Sequence, residues 1–511
     1  MLFNSFPFLF AFLPVVLVGF HLLGRLGRTA ALGWLSAASL VFYAYWNKAF
    51  LLLLLGSILF NFLCGQAIAA SGAREARQRI LLWAGVTGNL FLLCYHKYWF
   101  PLLNSFGSVA HPPRYFGSVI LPLGISFFTL TQIAYLVDLQ QGEASVLGFL
   151  DHLFFVSFFP HLIAGPILHH REFMPQVTKT RAFRLEWNDL AVGSTWFVIG
   201  LFKKVVIADQ IASYADLLFA TPDGQPLVRV WCGVLSYAVQ LYFDFSGYSD
   251  MAIGLARMFS LRFPLNFNSP YKAKSIIEFW QRWHMTLTNF LMLYIYNPLA
   301  LAINRRRLAA GQPIGRKAVL TSEGFLRIIA LPTLVTMVIA GVWHGAGRQF
   351  LAFGLLHGIF ICINHAWRTF KPRWGNWLDA GRLGATVSVL ITFLAVITAQ
   401  VFFRADSIED AFAVLRGAIG VNGTGSLPHT WAALFPWVAL ALLFTVIWSF
   451  PNTQEILGQY SGDADQKAQR PRSMASLQWQ PTWGWGCLIG AAFFASFVLL
   501  KTASRFLYFQ F

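Results

Sequence analysis

A helix needs about 20 apolar residues to cross the hydrocarbon core of a bilayer, and this chain offers fourteen runs near that length. They lie at approximately 6–23, 30–47, 49–70, 80–103, 116–137, 148–168, 190–208, 228–256, 276–300, 325–343, 349–367, 384–403, 431–450 and 483–501. In lipid each spanning segment must satisfy its own backbone, so a chain patterned this way reads as an all-α polytopic membrane protein. Composition agrees: of 511 residues 57% are hydrophobic and 12% charged, with 51 Phe and 19 Trp, against roughly 25% charged in an ordinary soluble domain. The same content excludes a disordered chain. Cys64, Cys94, Cys232, Cys362 and Cys487 are spread singly, which argues against a disulfide scaffold and a zinc site; no metal is expected. The run Phe6 to Phe20 has no basic stretch before it and no small-residue cleavage site after it, so it is read as a first span rather than a signal peptide.

The linkers are short and basic: Arg25 and Arg28; Arg74, Arg77 and Arg79; Lys179, Arg181 and Arg184; Arg305, Arg306, Arg307, Arg316 and Lys317; Arg368, Lys371 and Arg373. The positive-inside rule puts them on the cytoplasmic side. Much of the net charge of +17 is thereby explained by orientation, with attraction of an acidic donor, such as a phosphate-bearing cofactor or an acidic carrier protein, as a further use. Charges scattered through turns form no single basic face, so nucleic acid is not an expected partner. The stretch near 451–482, with Glu455, Asp463, Asp465 and Lys467, reads as a polar connector. Segments 148–168, 228–256 and 276–300 are too polar for lipid and are expected to be buried or re-entrant.

Polar residues inside membrane segments are functional candidates by default. The densest run begins at Tyr242-Phe-Asp-Phe-Ser-Gly-Tyr-Ser-Asp250, passes Asn266, Asn268 and Tyr271, and ends at Glu278-Phe-Trp-Gln-Arg-Trp-His284. If 276–300 is helical, Gln281, His284 and Thr288 share one face at i, i+3 and i+7, beside an apolar stripe of Trp280, Trp283 and Leu287. Pro298 is expected to end or kink that segment. A second constellation, Met337-Val-Ile-Ala-Gly-Val-Trp-His-Gly-Ala-Gly347, sets His344 among glycines at the end of an apolar run. An imidazole titrating near neutrality can take a proton from an attacking hydroxyl without a metal. His161, His169, His170, His357 and His365 are read as inter-helix hydrogen-bonding residues. Asp244 and Asp250 are read first as structural partners of buried Arg, Tyr or backbone groups and second as substrate-binding residues. No GxSxG elbow is present, which argues against a hydrolase of that design.

These strings resemble the membrane-bound O-acyltransferase family, in its bacterial alginate O-acetylase-like branch. The resemblance rests on Leu121-Pro-Leu-Gly-Ile-Ser-Phe-Phe-Thr129 with Tyr135-Leu-Val-Asp138, on Phe158-Phe-Pro-His-Leu-Ile-Ala-Gly-Pro-Ile167, on Phe243 to Ala256 through Asn266-Phe-Asn-Ser-Pro-Tyr271 to Phe279-Trp-Gln-Arg-Trp-His284, and on Gly341-Val-Trp-His-Gly-Ala-Gly347. It implies a ring of about 11–14 transmembrane and re-entrant helices around a central pore. The family-like core would cover 1–410, with catalytic segments 242–300 and 337–358, followed by C-terminal helices in 411–511. It implies His344 as the catalytic residue and His284 as its partner. The donor would be a cytoplasmic acyl thioester such as acetyl-CoA, with no permanently bound cofactor. Expected partners are a periplasmic SGNH esterase-like subunit, a polysaccharide synthesis complex and membrane lipids, in the bacterial inner membrane.

On this reading His344 acts as general base, while His284, Gln281 and Thr288 position the thioester carbonyl or stabilise its oxyanion. Trp283 and Trp343 would line the thioester path and exclude water. Where the alginate-type pattern has an Arg-Asp pair and two glycines, this chain has Met292-Leu293 and Ala300-Leu301, which leaves the acceptor open. The competing readings are D-alanyl or other acyl transfer from a carrier protein, a transporter or flippase, and a non-catalytic scaffold.

Overall fold

The computed structural model describes residues 1–99, 121–178, 186–370, 381–426, 430–458, 477–500 and 506–507. Among them the ordered structure is helical throughout, with no strand. The basic positions Lys179, Arg181, Arg184, Lys371 and Arg373, and 459–476 of the polar connector, lie outside the described residues. Among the described residues seven helices are long and apolar enough to cross a membrane: Phe8–Leu26, Lys48–Ala70, Trp187–Ala220, Met285–Ala309, Ser322–His344, Arg348–Phe370 and Gly381–Arg404. Ala433–Ser449 and Trp483–Leu499 are shorter apolar helices. The chain is a multi-pass membrane protein.

The remaining apolar runs differ from these for identifiable reasons. Glu75–Lys97 carries charged residues through its first turns. Ile125–Gln140 is only 16 residues long and buried along almost its whole length, so it faces protein on every side. The 148–168 run breaks as expected, into Phe149–Ser157 and Phe159–Leu162. The 228–256 run is buried but does not re-enter: Leu227–Met258 is one continuous helix of 32 residues.

The residues form two compact units that interleave along the chain and cut across a linear division at 410. One comprises Met1–Val206, Asp244–Leu265 and Thr453–Gln510, the other Ile207–Phe243 and Asn266–Asn452, with the terminal Phe511. The first unit is built on phenylalanine: Phe8, Phe42 and Phe158 or Phe259 ring the buried Phe159 at centroid distances of 5.4–6.1 Å. Within it the helix Trp187–Phe202 meets the Asp244–Met258 stretch almost backbone to backbone. A Cβ at Gly254 would stand 2.5 Å from the Gly193 carbonyl oxygen, so only a residue without one permits this approach.

The second unit holds the Asn266 to His284 part of the first constellation and the whole of the second. Its spanning helices contain prolines, and the way they are tolerated is regular. Pro298 follows the π-helical turn Met292–Tyr296, and Pro332 follows Leu326–Ala330; in the first unit Pro14 likewise follows Phe8–Phe12. A proline lacks the N–H and collides with the carbonyl four residues back; the wider turn moves that carbonyl aside. Pro298 therefore neither ends nor interrupts its segment, which runs helically from Met285 to Ala309.

Gly254→Val should lower stability by about 1–3 kcal/mol, the usual range for overpacking, read as a lower thermal midpoint in detergent. Gly486→Val, where a Cβ meets nothing within 4 Å, should leave the midpoint unchanged.

Candidate active site

The 276–300 segment is not one helix. Ser275 caps the short helix Ile276–Trp280 by accepting from the Glu278 N–H at 3.2 Å, and the Glu278 carboxylate accepts from the Lys274 N–H at 2.8 Å. This is a variant of the Ser-x-x-Glu capping box, in which the Glu reaches one residue past the cap, to Lys274 rather than Ser275. The helix ends at Trp280, and the next, Met285–Leu291, begins after His284, whose φ of 43° and ψ of 52° are left-handed. That conformation costs a side-chain-bearing residue about 1–3 kcal/mol and must be held by its surroundings.

Asn266 holds it. Its carbonyl accepts the Met285 N–H at 2.9 Å, and the neighbouring Asn268 N–H donates to the Arg282 carbonyl at 2.9 Å, tying 266–268 to 282–285. The Asn266 side-chain oxygen accepts from the Thr286 N–H at 3.3 Å and the Thr286 hydroxyl at 3.0 Å, and it lies 3.1 Å from Nδ1 of His284. An atom that receives a backbone N–H is the amide oxygen, so Nδ1 of His284 must donate to it. In the neutral ring this leaves Nε2 as the acceptor nitrogen. Sequence spacing missed this hub: Asn266 stood out only as a polar residue in an apolar run, and its partners lie 18–20 positions away.

The break removes the shared helix face expected for Gln281, His284 and Thr288. Gln281 is exposed at the end of its helix, while the half-buried Thr288 hydroxyl donates to the Trp283 carbonyl at 3.4 Å. Trp283 is buried and packs on Phe267, Phe279 and Tyr271 at 5.0, 5.6 and 6.3 Å.

His344 is the last residue of the helix Leu331–His344 and is only 4% exposed. The helix packs on Arg348–Phe370 at very short range: a Cβ at Gly354 would lie 2.4 Å from the Met337 carbonyl oxygen. That approach brings Phe353 to 5.8 Å from the His344 ring, and Phe403, on the helix Gly381–Arg404, stands at 5.1 Å. Trp343 lies 4.9 Å from His344 and 6.3 Å from His284, which is itself 1% exposed. Two imidazoles 60 positions apart thus share one indole. In the same unit His357 Nδ1 accepts from the Trp280 indole N–H at 3.2 Å; in the first unit His161 Nε2 lies 2.9 Å from the Phe155 carbonyl, both in keeping with their reading as hydrogen-bonding residues.

A family model for the MBOAT, membrane-bound O-acyltransferase family, matches residues 118–310. The chain is 40% identical over 463 residues to a peptidoglycan O-acetyltransferase of Helicobacter pylori, covering 84% of this chain and 81% of that protein. The chain belongs to the membrane-bound O-acyltransferase family. It is similar also to a probable alginate O-acetylase of Pseudomonas aeruginosa, 37% identical over 421 residues (81% of this chain, 74% of that one). A teichoic acid D-alanyltransferase of Bacillus subtilis is 27% identical over 338 residues (64% and 80%). The resemblance stated from the motifs is borne out, and the chain is an O-acyltransferase.

In this acyltransferase Asp244 and Asp250 lie in the first unit, each engaged with a lysine. Lys204 Nζ donates to Asp244 Oδ1 and Lys203 Nζ to Asp250 Oδ2, both at 2.6 Å. Asp244 Oδ2 also accepts the Leu507 N–H at 3.0 Å, and the Thr453 hydroxyl donates to Asp250 at 2.7 Å. Their first, structural reading fits these contacts; the acids fasten C-terminal residues to the unit. Among the described residues no group of His, Cys, Asp and Glu is placed to hold a metal.

Asn266→Ala should cut acyl transfer by about 10- to 100-fold, as loss of an orienting partner does at other functional histidines, mainly through kcat. Asn266→Asp, which keeps the acceptor oxygen, should retain more activity than Asn266→Ala in the same steady-state assay. Lys204→Met should destabilise by about 3–5 kcal/mol by leaving a buried carboxylate without its cation. Adding Asp244→Leu should recover most of that loss in a thermal melt.

Proposed function

We propose that this acyltransferase moves an acetyl group from a thioester donor to a hydroxyl of an exported polysaccharide or cell-wall polymer, directly or through a periplasmic acyl-carrying partner. The observation that carries the reading is the pairing of two buried imidazoles, His284 and His344, across Trp343. His344 acts as general base. It takes the hydroxyl proton as the oxygen attacks the thioester carbonyl, the C–S bond breaks, and the proton passes to the leaving thiolate. The C-terminal end of the helix Leu331–His344 stabilises the positive charge that the ring carries between those steps.

His284 has a different part from an oxyanion donor. With Nδ1–H committed to Asn266, its Nε2 offers a lone pair, so it orients a hydrogen on the substrate rather than a negative oxygen. Trp343, Phe353 and Phe403 form apolar walls that keep water from the thioester. Trp283 acts one layer back, by fixing the loop that carries His284. Gln281 and Thr288 have no part in this arrangement.

Acetyl is favoured over D-alanyl because the relatives at 37–40% identity are named for O-acetylation, whereas the D-alanyltransferase stands at 27%. A cytoplasmic donor such as acetyl-CoA, a periplasmic esterase-like partner and placement in a bacterial inner membrane belong to the same proposal. They are supported by the basic cytoplasmic linkers and the multi-pass fold.

The test is transfer of labelled acetyl from acetyl-CoA by proteoliposomes, together with acyl analysis of the cell's exported polysaccharide and peptidoglycan. His344→Ala should reduce both by about 100-fold or more while the protein remains folded and membrane-inserted. Undiminished acetylation by that variant would overturn the reading. Label arriving only from a D-alanyl-loaded carrier would replace acetyl with D-alanyl.

A further inference from the structure

The second unit contains a groove of about 720 Å³ between the helices Arg348–Phe370 and Gly381–Arg404, with the start of Ile276–Trp280 at its mouth. Its two ends differ in chemistry. At one end stand Lys274 and Arg368, both exposed, with Glu278, whose carboxylate is already taken up by Arg282 at 2.7 Å and the Lys274 N–H at 2.8 Å; the Arg368 guanidinium is fixed by donating to the Ser275 hydroxyl at 3.1 Å. Along the two long helices the walls are Ile363, Ile391 and Ala395, with the hydroxyls of Ser388 and Thr392 among them. From Gly381 to Ala395 the wall runs 14 residues along one helix, about 20 Å, a length suited to a long acyl chain.

Two features indicate what such a groove takes. Ile363 and Ile391 are 58% and 57% exposed, on helices long and apolar enough to span a bilayer. The groove therefore opens sideways onto hydrocarbon. One turn inward from Arg368, Asn364 carries a buried side-chain oxygen with no hydrogen-bond partner among the described residues. An uncompensated buried acceptor is costly, and a ligand hydroxyl would satisfy it.

We propose that this groove is a binding site for an anionic phospholipid. Its phosphate sits between Lys274 and Arg368, a headgroup hydroxyl donates to Asn364, and an acyl chain follows Ile363, Ile391 and Ala395. Basic pockets between membrane helices on the cytoplasmic side recognise anionic headgroups in this way, and the positive-inside rule puts Arg368 on that side. The site shares its elements with the histidines. Ile276–Trp280 carries the indole that donates to His357, and Arg348–Phe370 carries His357 and Phe353. A lipid wedged against both would hold the helix bearing Phe353 in register with the loop leading to His284. The inference does not depend on the acyl-transfer reading, because binding is measured without turnover.

The test uses the purified full chain, stripped of lipid in detergent and then offered phosphatidylglycerol or phosphatidylcholine, with retained lipid counted by native mass spectrometry. Phosphatidylglycerol should be retained at least tenfold better than phosphatidylcholine, and Lys274→Gln with Arg368→Gln should erase the difference. Ala395→Phe, which fills the groove and leaves both charges in place, should reduce retention of phosphatidylglycerol as strongly, and it carries the test if the charge variant does not fold. Arg305→Gln with Arg306→Gln, which removes as much charge away from the groove, should change nothing. Equal retention of the two lipids, or retention that survives both groove variants, would overturn the proposal. So would displacement of phosphatidylglycerol by soluble 4′-phosphopantetheine, which would make the occupant the donor's arm.

Discussion

Hydrocarbon offers no hydrogen bonds, and that constraint governs this protein more than any single contact. Each polar group at membrane depth must find its partner within the chain. The simplest response is the helix, and nearly all the described structure takes it. The instructive places are those where the chain does something else and has to compensate for it.

The loop from Asn266 to His284 is one such place. Its left-handed turn at His284 and the ends of two short helices would leave backbone groups open. Asn266 closes them, using its backbone carbonyl for Met285 and its side chain for Thr286 and His284. The same contacts decide which nitrogen of His284 is protonated. Backbone satisfaction and the tautomer of His284 are thus set by one arrangement, and the strained turn persists because its surroundings hold it. In the first unit the lysine–aspartate pairs solve the same problem for charge. They take their remaining hydrogen bonds from Thr453 and Leu507, so distant stretches of sequence complete one buried cluster.

Much of the site was readable beforehand because the rarity of polar residues in apolar sequence makes each of them conspicuous. His344 stood out by its glycine-flanked place at the end of an apolar run, and His284 by the polar stretch before it. The helical spacing of Gln281, His284 and Thr288 misled, since periodicity assumes an unbroken helix and the break is imposed by Asn266 from far along the chain. Of the two outcomes expected at Pro298 the segment does not end: the clash with the preceding turn is real, but a π-helical turn absorbs it and the span continues. Phe403, a neighbour of His344, lay unmarked in an apolar run, because nothing in such a run distinguishes a residue facing lipid from one facing an imidazole.

By itself the amino-acid sequence determined that the protein is helical and membrane-spanning, which family it belongs to and which two histidines deserve notice. Those properties follow from local composition and short motifs, and each can be read within a window of a few residues. Tertiary structure alone decided that the two imidazoles meet across Trp343, that Nε2 of His284 is the acceptor, and that Asp244 and Asp250 pair with neighbouring lysines. Each of these depends on a partner between 18 and 59 positions away, and only the packed helices choose that partner.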